Sequence, residues 1–498
     1  MKLSKNYEFW FVTGSQHLYG PKTLEQVKTD SEAIVAGLNA TGEFNYTIKF
    51  KALLTTTSEI IELMKDSNND DSCAGIIGWM HTFSPAKMWA RGLDMLQKPF
   101  VHLHTQFNRD IPWENIDMDF MNLNQSAHGG REFGFINARL RVPRKVIVGY
   151  WEEDLVISEL NRFLNVCVGI AESKCLKIAR FGDNMRFVAV TEGDKVEAEI
   201  KFGWEVSGYG IGDLVEFVDA VTDEEVNTLY AEYKTLYTIE SQDPGDIASI
   251  KYQAKIEIGM ERFLEEGGFG AFTTTFENLY GLNQLPGLAV QRLMEKGYGF
   301  GGEGDWKTAG MVRLTKIMGM SEGRGTSFME DYTYHMDPEN PMVLGAHMLE
   351  ICPSIADGQV NIKVNPLGIG GKDAPARFTF ECNTGEALNA CLIDMGGRMR
   401  LVINRVNAVK APYKMPKLPV AQAMWVPEPS LSEGAKAWIL SGGGHHTVYT
   451  LDVKVDQLVD FAEFMDLEVI VIDKDTNVSA LRQELKLSDM LWNLRSIR

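Results

Sequence analysis

The residues of this 498-residue chain best suited to chemistry lie in a glycine-rich segment at 297–307, GYGFGGEGDWK. Within it, Glu303 stands between two glycines, which let the backbone turn tightly and can expose a carboxylate at the mouth of a site. Asp305 follows where it can cap the next helix. The segment therefore predicts an accessible carboxylate just ahead of a helix.

Further candidate groups lie far from this segment in sequence. Glu330 stands near aromatic residues at the start of the C-terminal third, and His347 lies in an apolar stretch predicted as a strand over 342–351. His445 and His446 follow a triplet of glycines. Two carboxylates and two imidazoles form a mixed oxygen and nitrogen set that suits Mn²⁺ or a similar divalent ion, whereas zinc favours more nitrogen or sulfur. Spacing alone does not bring these groups together.

The glycines of the same segment permit other interpretations. Gly297, Gly299 and Gly302 fit the G-x-G-x-x-G pattern of dinucleotide-binding domains, but that pattern must follow a strand, and a helix is predicted over 287–296. A P-loop is excluded because Trp306 occupies the position where a glycine must precede the lysine. The remaining alternative is that these glycines only allow tight turns.

Composition limits the classes of partner. Hydrophobic residues make up 45% of the chain and charged residues 23%, which excludes a disordered protein. The 49 basic and 68 acidic side chains leave a net charge of −19, and a field of that sign repels phosphate backbones and anionic lipids. We therefore expect neither nucleic acid nor a membrane as partner, whereas a small neutral sugar is compatible. The six cysteines include no C-x-x-C pair and no apolar run reaches ~18 residues, so we expect a cytoplasmic protein.

Alternating strands and helices are predicted over the first two thirds of the chain. Short apolar strands are predicted over residues 9–12, 46–50, 74–79, 100–104 and 145–150. Helices separate them, with starts assigned to a capping box at 23–26 and to a cap with a first-turn proline at 84–85. This alternation predicts βαβ units around a parallel sheet, and a strand at 176–181 begins a second domain of the same kind.

The pattern changes near residue 326. Strands follow one another without a helix of similar length between them, over 342–351, 359–364, 377–381 and 401–406. A helix at 455–465 then precedes a strand at 467–472. The predicted fold is α/β, with two Rossmann-like parallel-sheet domains followed by a β-rich, barrel-like domain with terminal helices. The predicted domain bounds are 1–175, 176–326 and 327–498.

Several motifs resemble one known family over essentially the whole chain, the bacterial L-arabinose isomerases. They are FVTGSQHLYG at 11–20, NLNQSAHGGRE at 122–132, GDWK at 304–307, NPLGIGGK at 365–372 and HHT at 445–447. The resemblance implies that Glu303, Glu330, His347 and His446 hold one Mn²⁺ ion per subunit. It also implies that Glu303 and Glu330 are the catalytic acid/base pair. Seven residues fall where the family lines its sugar site: Gln16, Leu18, Gln125, His128, Met185, Phe276 and His445.

The resemblance further implies a reaction and an assembly. The expected reaction converts L-arabinose to L-ribulose through an enediol, as the first step of arabinose catabolism, and also takes D-galactose to D-tagatose. The expected assembly is a homohexamer in which the N-terminal domain of a neighbouring chain completes each active site.

Two other classes of protein compete with this interpretation, and within the isomerases one other family does. A sugar-binding protein of two α/β lobes would need neither a metal nor paired acids, and we see no secretory leader. A nicotinamide oxidoreductase would need a strand before Gly297. L-fucose isomerase is the nearest relative in chemistry, but the motifs favour arabinose.

Overall fold

The computed structural model describes residues 1–495, and these divide into two compact units. One unit is Leu3–Ala171, and the other contains Met1–Lys2 and the chain from Glu172 onward. The predicted boundary near residue 326 lies inside the larger unit, so the three-domain division stays a prediction. No helix within residues 1–495 combines the length and apolar character that crossing a bilayer requires.

The N-terminal unit is built on five strands and their connecting helices. The strands are β1 (Glu8–Gly14), β2 (Thr47–Leu54), β3 (Cys73–Met80), β4 (Phe100–His104) and β5 (Lys145–Val148). The helices are α1 (Gly20–Ala40), α2 (Thr57–Asn69), α3 (Ala90–Met95), α4 (Met118–Leu123), α5 (Ser126–Leu140) and α6 (Asp154–Ser173), the last of which crosses the unit boundary. All neighbouring strands are parallel, in the order β2-β1-β3-β4-β5. Every residue of β3 is buried, as expected for a parallel strand covered on both faces.

Two predicted helix starts in this unit are wrong. Helix α1 begins at Gly20 rather than at the capping box, because Pro21 fixes a helical φ in the first turn and a 3-10 turn at His17–Tyr19 leads directly into it. The start predicted at Ser84 is also wrong. The Oγ of Ser84 accepts a hydrogen bond from the indole of Trp89 at 2.9 Å, so it does not cap a helix, and a short 3-10 turn follows.

The first part of the larger unit carries a second parallel sheet. Its strands are β6 (Lys177–Phe181), β7 (Glu205–Tyr209), β9 (Ala271–Thr273) and β10 (Gly299–Gly301), while β8 (Thr238–Ile239) of the same stretch belongs to a separate three-stranded sheet. Its helices are α7 (Lys195–Phe202), α8 (Ile211–Asp219), α9 (Asp223–Leu236), α10 (Pro244–Gly267), α11 (Gly287–Glu295) and α12 (Trp306–Met318). The sheet order is β10-β9-β6-β7, all parallel, which confirms a second α/β sheet. Helix α11 precedes Gly297, so the strand that a nucleotide fingerprint requires is not there.

The last part of the chain is rich in antiparallel strands. These are β11 (Thr326–His335), β12 (Met342–Ala346), β13 (Asn361–Val364), β14 (Ala376–Thr379), β15 (Gly385–Asp394), β16 (Met399–Val409), β17 (Gln422–Pro427), β18 (His446–Thr450) and β19 (Glu468–Ile472). Its helices are α13 (Leu431–Leu440), α14 (Val455–Phe464) and α15 (Val478–Arg495). Strands β15-β18-β11-β12-β17-β16 close on themselves through the β15–β16 pairing, and β19 joins β16 in parallel. The predicted barrel-like fold is confirmed.

Two details of this region differ from the prediction. Strand β12 ends at Ala346, so His347 lies just beyond the strand rather than inside it. The reason is a local turn in which the carboxylate of Glu350 accepts the backbone N–H of Leu349 at 3.1 Å. Helix α13 also interrupts the run of strands, with Ser430 as its N-cap.

Candidate active site

A cleft of about 590 Å³ opens in the larger unit where the parallel sheet meets the barrel. It is lined by Met185, Arg186, Phe276, Glu277, Glu303, Glu330, Tyr332, His347, Met348, Ile369 and Gly370. Phe276 and Glu303 follow the carboxyl ends of β9 and β10, which is where open α/β sheets bind ligands. The volume suits a small molecule such as a sugar.

The backbone of Glu303 is held in a strained conformation. Its φ is 59°, a left-handed value that non-glycine residues rarely adopt. Its carbonyl accepts the N–H of Met185 at 3.0 Å, and the next N–H, of Gly304, donates to Thr274 at 2.9 Å. A Cβ at Gly304 would lie 2.7 Å from the Asn184 backbone, so only glycine fits there. Such strain is typical of residues placed for function rather than for stability.

Strand register brings Glu330 beside both histidine-bearing segments. Glu330 pairs with His446 of β18 on one side and with Ala346 of β12 on the other, so His347 follows immediately. The rings of His347 and His446 lie 6.0 Å apart between centroids, and Phe328 contacts both, at 4.9 and 5.1 Å. Strand pairing therefore brings together residues that lie more than a hundred positions apart in sequence.

His446 is oriented by a buried carboxylate. Its Nδ1 lies 3.3 Å from Oδ2 of Asp305, while its buried Nε2 has no hydrogen-bond partner and lies 3.8 Å from Oε2 of Glu303. Asp305 also caps α12, as predicted, and lies 3.2 Å from the ammonium of Lys307. Although burial opposes it, that ammonium and the bond to His446 hold the pKa of Asp305 well below its usual range.

His347 is held in the same way. Its Nδ1 lies 2.5 Å from Oε2 of Glu350, and both side chains are buried. A Cβ at Gly302 would lie 3.1 Å from Cε1 of this imidazole, so the glycine makes room for the ring. Burial lowers the pKa of His347, but the carboxylate of Glu350 outweighs it and raises that pKa.

The donor groups fit a divalent ion. Glu303, His445 and His446 have ligand atoms within 4.8 Å of one another, and Glu330 and His347 face the same cleft. A histidine that binds a metal through one ring nitrogen characteristically holds a carboxylate on the other, as both buried imidazoles do here. His445, assigned by resemblance to the sugar, belongs to the tightest cluster, and its bond to Glu303 is the main cause that lowers the pKa of that carboxyl.

Apart from His445, the residues predicted to contact the sugar fall into two groups. Met185 and Phe276 line the cleft. The other four, Gln16, Leu18, Gln125 and His128, lie together on the N-terminal unit.

Hydrogen bonds connect the 3-10 turn that holds Leu18 with the start of α5, where Gln125 and His128 lie. The Nε2 of Gln125 donates to the hydroxyl of Tyr19 at 2.9 Å, and its Oε1 lies 3.0 Å from Nδ1 of His128. The ring of His128 stacks on Phe83 at 4.6 Å, and Leu18 is 83% exposed.

Several cleft residues were missed from sequence. Tyr332 lies two positions beyond Glu330, so the alternation of a regular strand predicts it on the same face, although the register of β11 shifts between Asp331 and Thr333. Met348 and Ile369 lie outside strands, where no periodicity marks a face. Asp305 and Glu350 were noticed only as a cap and as part of an apolar segment.

Comparisons with known proteins agree over nearly the whole chain. Family models described as the N-terminal, central and C-terminal domains of L-arabinose isomerase match residues 3–175, 177–321 and 325–468. An L-arabinose isomerase of Geobacillus stearothermophilus is 58% identical over 492 residues, which cover 98% of this chain and 99% of that protein. One from Bacillus subtilis (strain 168) is 55% identical over 498 residues, covering 99% and 100%. One from Clostridium beijerinckii is 56% identical over 488 residues, covering 98% and 99%.

Proposed function

Because the chain belongs to the L-arabinose isomerase family, we propose that it interconverts L-arabinose and L-ribulose with Glu303 and Glu330 as its acid/base pair. The observation that carries the assignment of the site is the placement of His446, with Asp305 on one ring nitrogen and Glu303 facing the other. A pocket that only bound sugar would have no use for a buried imidazole oriented in this way.

The reaction moves a hydrogen from C2 to C1 while the carbonyl moves from C1 to C2. A C–H beside a carbonyl is a weak acid, so a carboxylate must take the proton and the enediolate must be stabilised. Glu303, Glu330, His347 and His446 would hold Mn²⁺, which would supply Lewis-acid stabilisation of the enediolate. The hydrogen bond with His445 lowers the pKa of Glu303, so its carboxylate is ionised and is the group that takes the proton. Glu330, on β11, manages the hydroxyl proton in one direction, and the roles reverse in the other.

We extend the proposal to substrate range, assembly and location. D-galactose is a second substrate, because it matches L-arabinose except for one added hydroxymethyl group. The enzyme is a homohexamer in which Gln16, Leu18, Gln125 and His128 of a neighbouring chain complete each site. The hydrogen bonds that order this surface around an exposed leucine support that role. The scattered cysteines support a cytoplasmic location.

Ketose formation from L-arabinose tests the proposal. Chelator-treated protein is expected to lose activity and to recover it with Mn²⁺. Glu303→Gln is expected to lower kcat by about 10²–10⁴-fold or more without unfolding the protein. Glu322→Gln, an exposed acid nearby, is the matched control and is expected to stay active. Full activity of metal-free protein, or equal losses in both variants, would contradict the proposal.

A further inference from the structure

The segment 365–372, NPLGIGGK, forms one wall of the cleft without any regular secondary structure. It connects β13 to β14, and its members Ile369 and Gly370 line the cleft. Gly370 and Gly371 have left-handed φ values of 77° and 60°, which other residues rarely adopt. Loops that contain such glycines are usually mobile, so bonds from other segments must hold this wall in position. We name this segment the strap.

Lys372 ties the C-terminal end of the strap to the turn that follows Phe276. Its Nζ donates to the carbonyls of Leu279 at 2.7 Å and Leu282 at 2.6 Å. Those carbonyls belong to the turn that follows Phe276, another wall residue. The next residue adds a backbone bond, from Asp373 N to Asn283 O at 3.0 Å.

Arg377 ties the N-terminal end of the strap. One guanidinium nitrogen donates to the carbonyl of Asn365 at 2.6 Å and the other to that of Met348 at 3.2 Å. Met348 is itself a wall residue that follows His347. A charged side chain therefore bonds each end of the strap to the backbone of a different wall. Hydrogen bonds from a charged donor are stronger than those between neutral groups.

We propose that Lys372 and Arg377 are positioning residues that fix the distance between Ile369 and Phe276, and that this width selects the sugar by its length. The inference rests on the proposed function. L-arabinose and D-galactose differ by one hydroxymethyl group, so a fixed wall admits the five-carbon sugar and crowds the six-carbon one. A strap released at Lys372 moves outward, weakens binding of the short sugar and accommodates the longer one.

Lys372→Met is the variant to test, because Lys372 is half-buried whereas Arg377 is fully buried and its loss endangers folding. The KM for L-arabinose is expected to rise about tenfold, on the scale of one lost charged hydrogen bond. The preference for L-arabinose over D-galactose in kcat/KM is expected to fall about tenfold as well. Lys372→Arg, which keeps a donor, is expected to restore much of both. Lys363→Met, an exposed lysine on β13, is the matched control.

Binding of unreactive alditols separates this inference from the proposed reaction. Calorimetry with L-arabitol and galactitol on the Mn²⁺-loaded protein measures length selection without turnover. In Lys372→Met the ratio of their Kd values is expected to shift toward galactitol, while the Mn²⁺ affinity stays that of the parent. A parent protein that binds L-arabitol but forms no ketose refutes the reaction alone. Unchanged Kd ratios in Lys372→Met refute the role proposed for the strap. A loss of Mn²⁺ binding that Lys372→Arg fails to restore refutes it as well.

Discussion

A buried histidine in the N-terminal unit makes that unit sensitive to acid. His102 lies on β4 with 3% of its surface exposed, and its Nε2 has no hydrogen-bond partner. It packs against the ring of Phe133 at 5.1 Å and His104 at 5.3 Å, and α5 covers it at Gly130. Burial, and after it the charges of His104 and Arg144, lower the pKa of His102 to about 3.

The direction in which pH changes the stability of this unit follows from the number of protons that the folded and unfolded chains bind. The unfolded chain has the ordinary histidine pKa of about 6.5, so between pH 6.5 and 3 it binds more protons than the folded unit. Stability is therefore complete above pH 6.5 and falls as pH drops through that window, by at most about 1.4 kcal/mol per pH unit. At pH 5 the loss from this one residue is about 2 kcal/mol.

Substitution of His102 by leucine tests the calculation. The variant has no titrating group at this position and loses no hydrogen bond at Nε2. Between pH 7 and pH 5 its free energy of unfolding is therefore expected to fall by about 2 kcal/mol less than that of the parent. His104 is present in both proteins, so its own contribution largely cancels.

The assay must report on the N-terminal unit alone, because acid is also expected to weaken the proposed metal binding in the larger unit. Hydrogen exchange of the β4 peptide, measured by mass spectrometry in a urea series at both pH values, meets this need. His335→Leu, an exposed histidine of the other unit, is the control. Equal losses of protection in the parent and in His102→Leu would refute the reasoning.

Three further predictions concern the active site and are checked by simpler measurements. Asp305→Asn is expected to weaken Mn²⁺ binding by about 10–100-fold in calorimetry while the protein stays folded, because His446 loses its orienting carboxylate. Gly304→Ala is expected to lower the free energy of unfolding by about 1–3 kcal/mol in denaturant titration, since φ is 86° and the added Cβ meets the Asn184 backbone. Co-expression of His128→Ala with His446→Ala is expected to restore part of the activity that each lacks, and no recovery at any ratio would show that sites are not shared between chains.

The elements of this fold follow closely from the sequence where local pattern decides them. The strand predicted over 100–104 is β4 itself, and the helix predicted over 455–465 ends one residue early. A buried parallel strand is a short run of apolar residues, so the sequence predicts it without knowledge of the strands that pair with it. Starts of helices were less predictable at 23–26 and 84–85, because tertiary bonds and a proline outside the motif decided them.

The active site also combines features that the sequence predicts with features that it does not. Glu303, His347 and His446 were identifiable as reactive types in unusual settings, yet their convergence depends on the pairing of β11 with β18 and β12, which no local pattern specifies. The anchors of the strap were beyond sequence reasoning for another reason. Lys372 binds backbone carbonyls, and a carbonyl has the same chemistry at every position, so nothing in residues 279–282 marks them as acceptors.

The two imidazoles that face the cleft illustrate what the fold contributes to the chemistry. Asp305 and Glu350 are each about 2% exposed, and a carboxylate buried so deeply is costly unless charged or donor groups compensate it. Each one bonds Nδ1 of a histidine and so directs Nε2 away from itself, which fixes the tautomer before any ion arrives. Lys307 offsets the charge of Asp305 from the side away from the cleft. The orientation of both ring nitrogens is therefore a property of the folded chain, and the proposed metal site would require little rearrangement of these rings.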